Sequence, residues 1–124
     1  MNEVEWIAAG AASWSPHPAF PGVRLARLLR ALPIRALDGA LVEISNGASV
    51  PEHAHAEEDD ILYVLRGEAR MWIEGRGEQA LGAGDFLRIP RGRRHRPFAF
   101  AGGFLAFNLW AAAATRATPE RSLR

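Results

Sequence analysis

Cysteine is absent from the sequence, and so is lysine. Without cysteine there are no disulfides, no iron–sulfur ligation, no thiolate nucleophile and no zinc finger. Without lysine there is no Schiff base, no pyridoxal phosphate anchor and no P-loop lysine. All 15 basic residues are therefore arginines, set against 14 acidic residues for a formal net charge of +1. That balance argues against a nucleic-acid partner, which calls for a strong basic excess. No run approaches the ~18 apolar residues that a membrane span requires, so no membrane partner is expected. The opening stretch MNEVEWIAAGAASW holds two Glu and no early Arg, unlike the basic start of a secretory signal. The expectation is a soluble, cytoplasmic protein, which the lack of cysteine fits.

What is present fits one domain. A chain of 124 residues, 48% hydrophobic and 23% charged, has ordinary globular composition and buries roughly two-thirds of its unfolded surface. Twelve Gly and eight Pro separate short apolar or alternating runs, the pattern of all-β sandwiches and barrels. Strands are expected at 39–45, 60–65, 68–74, 86–89 and 104–110. Turn signals follow them at Asn46-Gly47, Arg66-Gly67, Gly75-Arg76-Gly77 and Pro90-Arg91-Gly92. In 68–74, Ala69, Met71 and Ile73 alternate with Arg70, Trp72 and Glu74, the period of a half-buried strand. The segment 23–32 reads as a helix or an edge strand, because Arg24, Arg27 and Arg30 recur every three residues; Pro33 ends it either way. Residues 1–22, rich in Pro, Trp and Ala, are expected to wrap the barrel as an irregular arm. Residues 111–124 form an Ala- and Arg-rich tail, expected as a short helix or disorder.

Three of the four histidines carry the chemistry. His53 and His55 are separated by one residue. On an extended chain they project from one face, about 6–7 Å apart. Two imidazoles at that spacing can tilt onto one metal ion through N–metal bonds of about 2.0–2.1 Å. The acidic run Glu57, Glu58, Asp59, Asp60 follows at once, and His95 lies on a later segment. An antiparallel barrel can bring such groups together across its narrow interior.

The spacing Gly47-x5-His53-x-His55-x4-Asp60-x6-Gly67 resembles the first motif of the cupin superfamily, and Gly84-x5-Pro90-x-Gly92-x2-His95 resembles the second. The motifs span 47–95, and flanking strands extend the likeness to roughly 23–110. The resemblance implies a double-stranded β-helix, a jelly-roll barrel of two antiparallel sheets. It implies one divalent metal per chain, held by His53, His55, Asp60 and His95, with Gly47, Gly67, Gly84 and Gly92 at turn positions. The family usually has Glu where Asp60 stands, and often Asn where Ala99 stands. Counting back from Gly67 selects Asp60 as the acidic ligand, whereas counting forward from His55 selects Asp59. Asp60 is favoured because it shares parity with Leu62 and Val64, the inward face. Fe(II) is the favoured metal; Mn(II), Ni(II), Zn(II) and Cu(II) suit the same donors. Such a site leaves coordination positions open, the catalytic arrangement.

Parity also sketches the pocket: Ala40 and Val42 with Ile44, Leu62 beside Asp60, and Phe104, Ala106, Asn108 and Trp110. The pocket is then apolar apart from one amide, with small residues leaving room for a ligand. His17 reads as a loop residue, or as a group that an arm folded over the barrel mouth brings to substrate. Arg88, Arg91, Arg93, Arg94 and Arg96 read as a solvated face or as an anion site. Tyr63 is expected to pack between the sheets, and the four Trp in the core or at a dimer interface. The segment FPGV (20–23) and the stretch GDFLRIPRGRRHRPF are similar to small cupins that include dioxygenases of diketones and flavonols. The leading expectation is thus an oxidoreductase: a mononuclear metal dioxygenase of a small enol- or diketone-type substrate, with Asp60 as base. The alternatives are a metal-dependent isomerase, cyclase or lyase on a carbonyl compound, or a non-catalytic metal or small-molecule binding cupin. Small cupins commonly pair, so the resemblance also implies a homodimer.

Overall fold

The computed structural model describes residues 6–8, 10–29 and 37–112. Among the described residues every regular element is a strand: β1 (Ser15–Pro16), β2 (Val23–Arg27), β3 (Leu37–Ile44), β4 (Glu58–Ile73), β5 (Gly77–Gly82), β6 (Phe86–Ile89) and β7 (His95–Ala112). All pairings are antiparallel. The strand order is β1-β2-β3-β7-β4-β5, with β6 also paired to β4. The fold is therefore all-β, and no helix of the described residues is long and apolar enough to cross a membrane.

Two long strands, β4 with 16 residues and β7 with 18, each serve two layers in succession. The first part of β4 lies between β6 and the later part of β7, and the second part lies between β5 and the start of β7. Register shifts between Val64 and Arg70 mark where β4 bends from one layer to the other. At the bend Gly67 has φ 85°. A Cβ there would stand 2.7 Å from the Phe104 Cα and 2.8 Å from the Ala101 carbonyl oxygen. Only glycine lets the two backbones come so close.

This bend corrects the reading of Arg66-Gly67 as a turn. The expected strands 60–65 and 68–74 are one element, since both sides of the bend keep their partner β7. The start of β7 and all of β5 were not foreseen. β5 is an edge strand that buries only Leu81, so it has no alternation to read. The segment 23–32 begins as the strand β2, and its arginines reach across to β3. Arg24 donates to its register partner Glu43 at 2.8 and 2.6 Å, and Arg27 pairs with Asp38. These cross-strand ion pairs account for the spacing that suggested a helix; residues 30–33 lie outside the described residues. The arm is not wholly irregular, because Ser15–Pro16 adds an edge to β2. Ala111 and Ala112 prolong β7, and the rest of the expected tail lies outside the described residues.

The layers close over a core that includes Val42, Ile44, Val64, Met71, Phe104 and Ala106. Tyr63 was expected between the layers but is 44% exposed, beside Leu65 at 45% and close to Phe86, its register partner, at 66%. β4 has its interior on one side only, and Tyr63 has the opposite parity to buried Val64. Of the tryptophans, Trp6 is 84% exposed rather than in the core. Trp14 lies beneath the Arg24 guanidinium, 4.8 Å from it.

Candidate metal centre

The site begins with backbone pairing. His53 and His95 form an isolated antiparallel bridge, N–H to carbonyl at 3.0 and 2.9 Å. The His55 carbonyl accepts from the Gly92 N–H at 2.7 Å. The histidine segment is thereby fastened to the start of β7. Asp60 enters from β4, where it pairs with Ile89 on one side and Trp110 on the other.

The side chains converge. One ligand atom from each of His53, His55, Asp60 and His95 lies within 4.8 Å of all the others, so the group can hold a metal ion. The imidazole centroids stand 4.4 Å (His53–His95), 5.3 Å (His53–His55) and 5.9 Å (His55–His95) apart. Asp60 Oδ2 is 3.2 Å from His95 Nε2 and 3.4 Å from His55 Nε2. His53 Nδ1 donates to the Pro51 carbonyl at 2.9 Å, and His95 Nδ1 to the Arg93 carbonyl at 3.0 Å. A carbonyl only accepts, so Nδ1 carries the proton and, in the neutral ring, Nε2 keeps a lone pair facing the cluster. In His95 that lone pair faces a carboxylate oxygen. At that distance either a proton on Nε2 donated to Asp60 or a cation shared by the two groups holds them together, and a divalent metal fits the second case.

Asn108, on β7, holds Asp60 in place. Its amide nitrogen donates to Asp60 Oδ1 at 2.7 Å and to the Ile61 carbonyl at 3.0 Å. Oδ1 is thus occupied, and Oδ2 is the oxygen offered to the histidines. Burial alone would push the Asp60 carboxyl up, but hydrogen bonds from His55, His95 and Asn108 outweigh it and hold the group well below the usual carboxylate range. His55 is raised, chiefly by its hydrogen bond to Asp60, against the effect of burial. His53 is lowered, chiefly by burial, although its bond to Pro51 opposes this. Asp59 has the other parity and faces away, accepting from Arg88 Nε and the Arg91 N–H, both at 3.0 Å. Of the two aspartates, Asp60 is the one that joins the histidines.

A cavity of about 380 Å³ opens beside these four residues. The matching sequence model is that of the cupin domain, over residues 40–102. The chain belongs to the cupin family. Among proteins similar to this cupin is the tetracenomycin polyketide synthase protein TcmJ of Streptomyces glaucescens, 33% identical over 102 residues, 77% of this chain and 68% of TcmJ. Another is the dimethylsulfoniopropionate lyase DddQ of Ruegeria pomeroyi, 33% identical over 75 residues, 60% of this chain but only 37% of DddQ. The solved structure of KdgF from Halomonas sp. has a TM-score of 0.74 at 22% identity, covering 88% of this chain and 95% of KdgF; it shares the fold.

Of the pocket residues expected in this cupin, Val42, Leu62, Phe104, Ala106, Asn108 and Trp110 line the cavity. Ala40 is fully buried but does not line it; its methyl group is short beside its register partner Asn108, which does. Met71, Pro97 and Phe100 also form the wall. They come from beyond the bend, where parity counted from the first half of β4 no longer applies. His17, in the loop after β1, lines the cavity as well. The arginines of 88–96 do not line it. Arg88 and Arg91 pair with Asp59, Arg94 pairs with Glu52, and Arg96 lies over Phe98 at 4.9 Å.

Proposed function

We propose that this cupin is a mononuclear metal-dependent enzyme acting on a small organic molecule, and that its reaction is dioxygenation of an enol- or diketone-type compound. The observation that carries the reading is the convergence of His53, His55, Asp60 and His95 in the wall of a mostly apolar cavity. When bound, a divalent metal, Fe(II) in preference to Mn(II), Ni(II), Zn(II) or Cu(II), supplies Lewis acidity and open coordination positions. The protein's own groups do the rest. The carbonyl bonds of His53 and His95 fix both rings with Nε2 turned to the centre. Asp60 would leave the metal and accept the proton of an enol at Oδ2, while Asn108 keeps Oδ1 engaged. The apolar wall excludes water from the reacting carbon.

A second reading, a lyase, isomerase or cyclase on a carbonyl compound, is favoured by the likeness to a lyase and needs only the Lewis acid and the base. Oxygen consumption separates the two. The iron-loaded protein supplied with a β-diketone should take up one dioxygen per substrate consumed. Turnover without oxygen uptake would replace the first reading by the second, and tight metal binding with turnover of no carbonyl compound would leave a binding protein.

A further inference from the structure

Asn108 is 8% exposed, and His95 is the other polar side chain so deeply buried among the described residues. Half of its amide is accounted for. Nδ2 donates to Asp60 Oδ1 at 2.7 Å and to the Ile61 carbonyl at 3.0 Å, with the Leu109 carbonyl at 3.4 Å. All three are acceptors. Turned over, the amide would set its oxygen against a carboxylate and two carbonyls, so the network fixes which end is nitrogen. The other end, Oδ1, receives no hydrogen bond among the described residues. A buried carbonyl oxygen without a donor is unfavourable, and native interiors leave few of them.

The surroundings do not supply that donor. On the inward face of β7 the neighbours of Asn108 are Ala106 and Trp110, and its register partners are Ala40 and Leu62. Three of these four side chains are hydrocarbon, and among the described residues no hydrogen bond joins the Trp110 N–H to the amide. Asn108 does line the cavity, together with Asp60 and His95. The two ends of an amide are about 2.3 Å apart, so Oδ1 lies within about 5 Å of Asp60 Oδ1. A molecule seated at the cluster therefore comes close to an acceptor that lacks a donor.

Building on the metal-dependent reading, we propose that Asn108 determines specificity. Its Oδ1 accepts a hydrogen bond from an N–H or O–H placed beside the chelating atoms of a small ligand. The site thereby selects such donor-bearing chelators over analogues with a methyl group in the donor's place. This role is separate from holding Asp60, which uses Nδ2.

Two matched probes test it. Benzohydroxamic acid and N-methylbenzohydroxamic acid present the same ring and the same two chelating oxygens, and differ by one N–H against one N–CH3. Calorimetry measures their binding to the full-length protein loaded with zinc, which is redox-inert, and to zinc in water. The natural protein should prefer the N–H compound about tenfold more strongly than zinc in water does. In Asn108→Ala, and in Asn108→Leu of closer volume, each at its measured zinc content, the preference should fall to its value in water. A residue that only held Asp60 would weaken both compounds alike, so a ratio unchanged by either variant would overturn the proposal. A natural protein with no preference beyond that of zinc in water would also overturn it, because Oδ1 is then served by water and not by the ligand. Both of those results leave metal uptake, and the reading built on it, standing. A natural protein that takes up no zinc would overturn that reading and this proposal with it.

Discussion

Asp60 and Asn108 act as a pair, and each can be tested through the other. Removing the amide in Asn108→Ala frees Oδ1 and lets the carboxylate turn, so metal affinity should fall about 10–100-fold. A competition titration against a chromophoric chelator measures this, and an unchanged affinity would remove Asn108 from the site. The acid response follows from Asp60 itself. Its folded-state pKa lies below the ordinary carboxylate value of about 3.9, so the unfolded chain binds more protons as pH falls through that region. The stability it contributes is present in full above that value and is lost as pH drops toward the folded-state pKa. The chelator-stripped protein should therefore lose stability below about pH 4, and Asp60→Asn should lose it less steeply in urea melts. Asp59, also depressed, by the Arg91 N–H foremost, keeps some slope in the variant. His53, His55, Asp60 and His95 were legible in the sequence because they fall at the spacings of the two motifs that resemble the cupins, with parity to Leu62 and Val64 choosing Asp60 over Asp59. His17 was left between two readings, because its place depends on Ser15–Pro16 pairing with β2, a two-residue contact with no periodicity of its own.

The bend in β4 lets it serve both layers, and Gly67 is its tightest point. A methyl group there meets backbone at under 3.0 Å and forces a side chain into left-handed φ. Gly67→Ala should cost about 2–4 kcal/mol in denaturant melts, and a cost under about 0.5 kcal/mol would mean that the bend relaxes freely. Strands with one buried face and a turn at their end, such as Phe86–Ile89, were readable from alternation. The long strands were read in fragments, since a bulge uses the same residues as a turn and only the distant partner tells them apart. Parity held on each side of the bulge but not across it, so the inward face of the first half of β4 was read correctly while much of the far wall was missed.

The barrel sets a charge-poor interior against arginine-rich loops, with acidic and basic side chains paired on the outside. One outward area departs from this. Tyr63, Leu65 and Phe86 leave large apolar side chains in solvent on adjoining strands, a surface suited to a second copy of the chain. Light scattering should give twice the chain mass, and Tyr63→Arg with Phe86→Glu should halve it; a monomeric natural protein would contradict the pairing. The cluster itself is tested most directly by elemental analysis of the natural protein beside His95→Ala, both purified without added metal. About one divalent metal per chain is expected in the first and almost none in the second. A full complement of metal in His95→Ala would contradict it, as would a natural protein that binds none when offered iron, manganese or zinc.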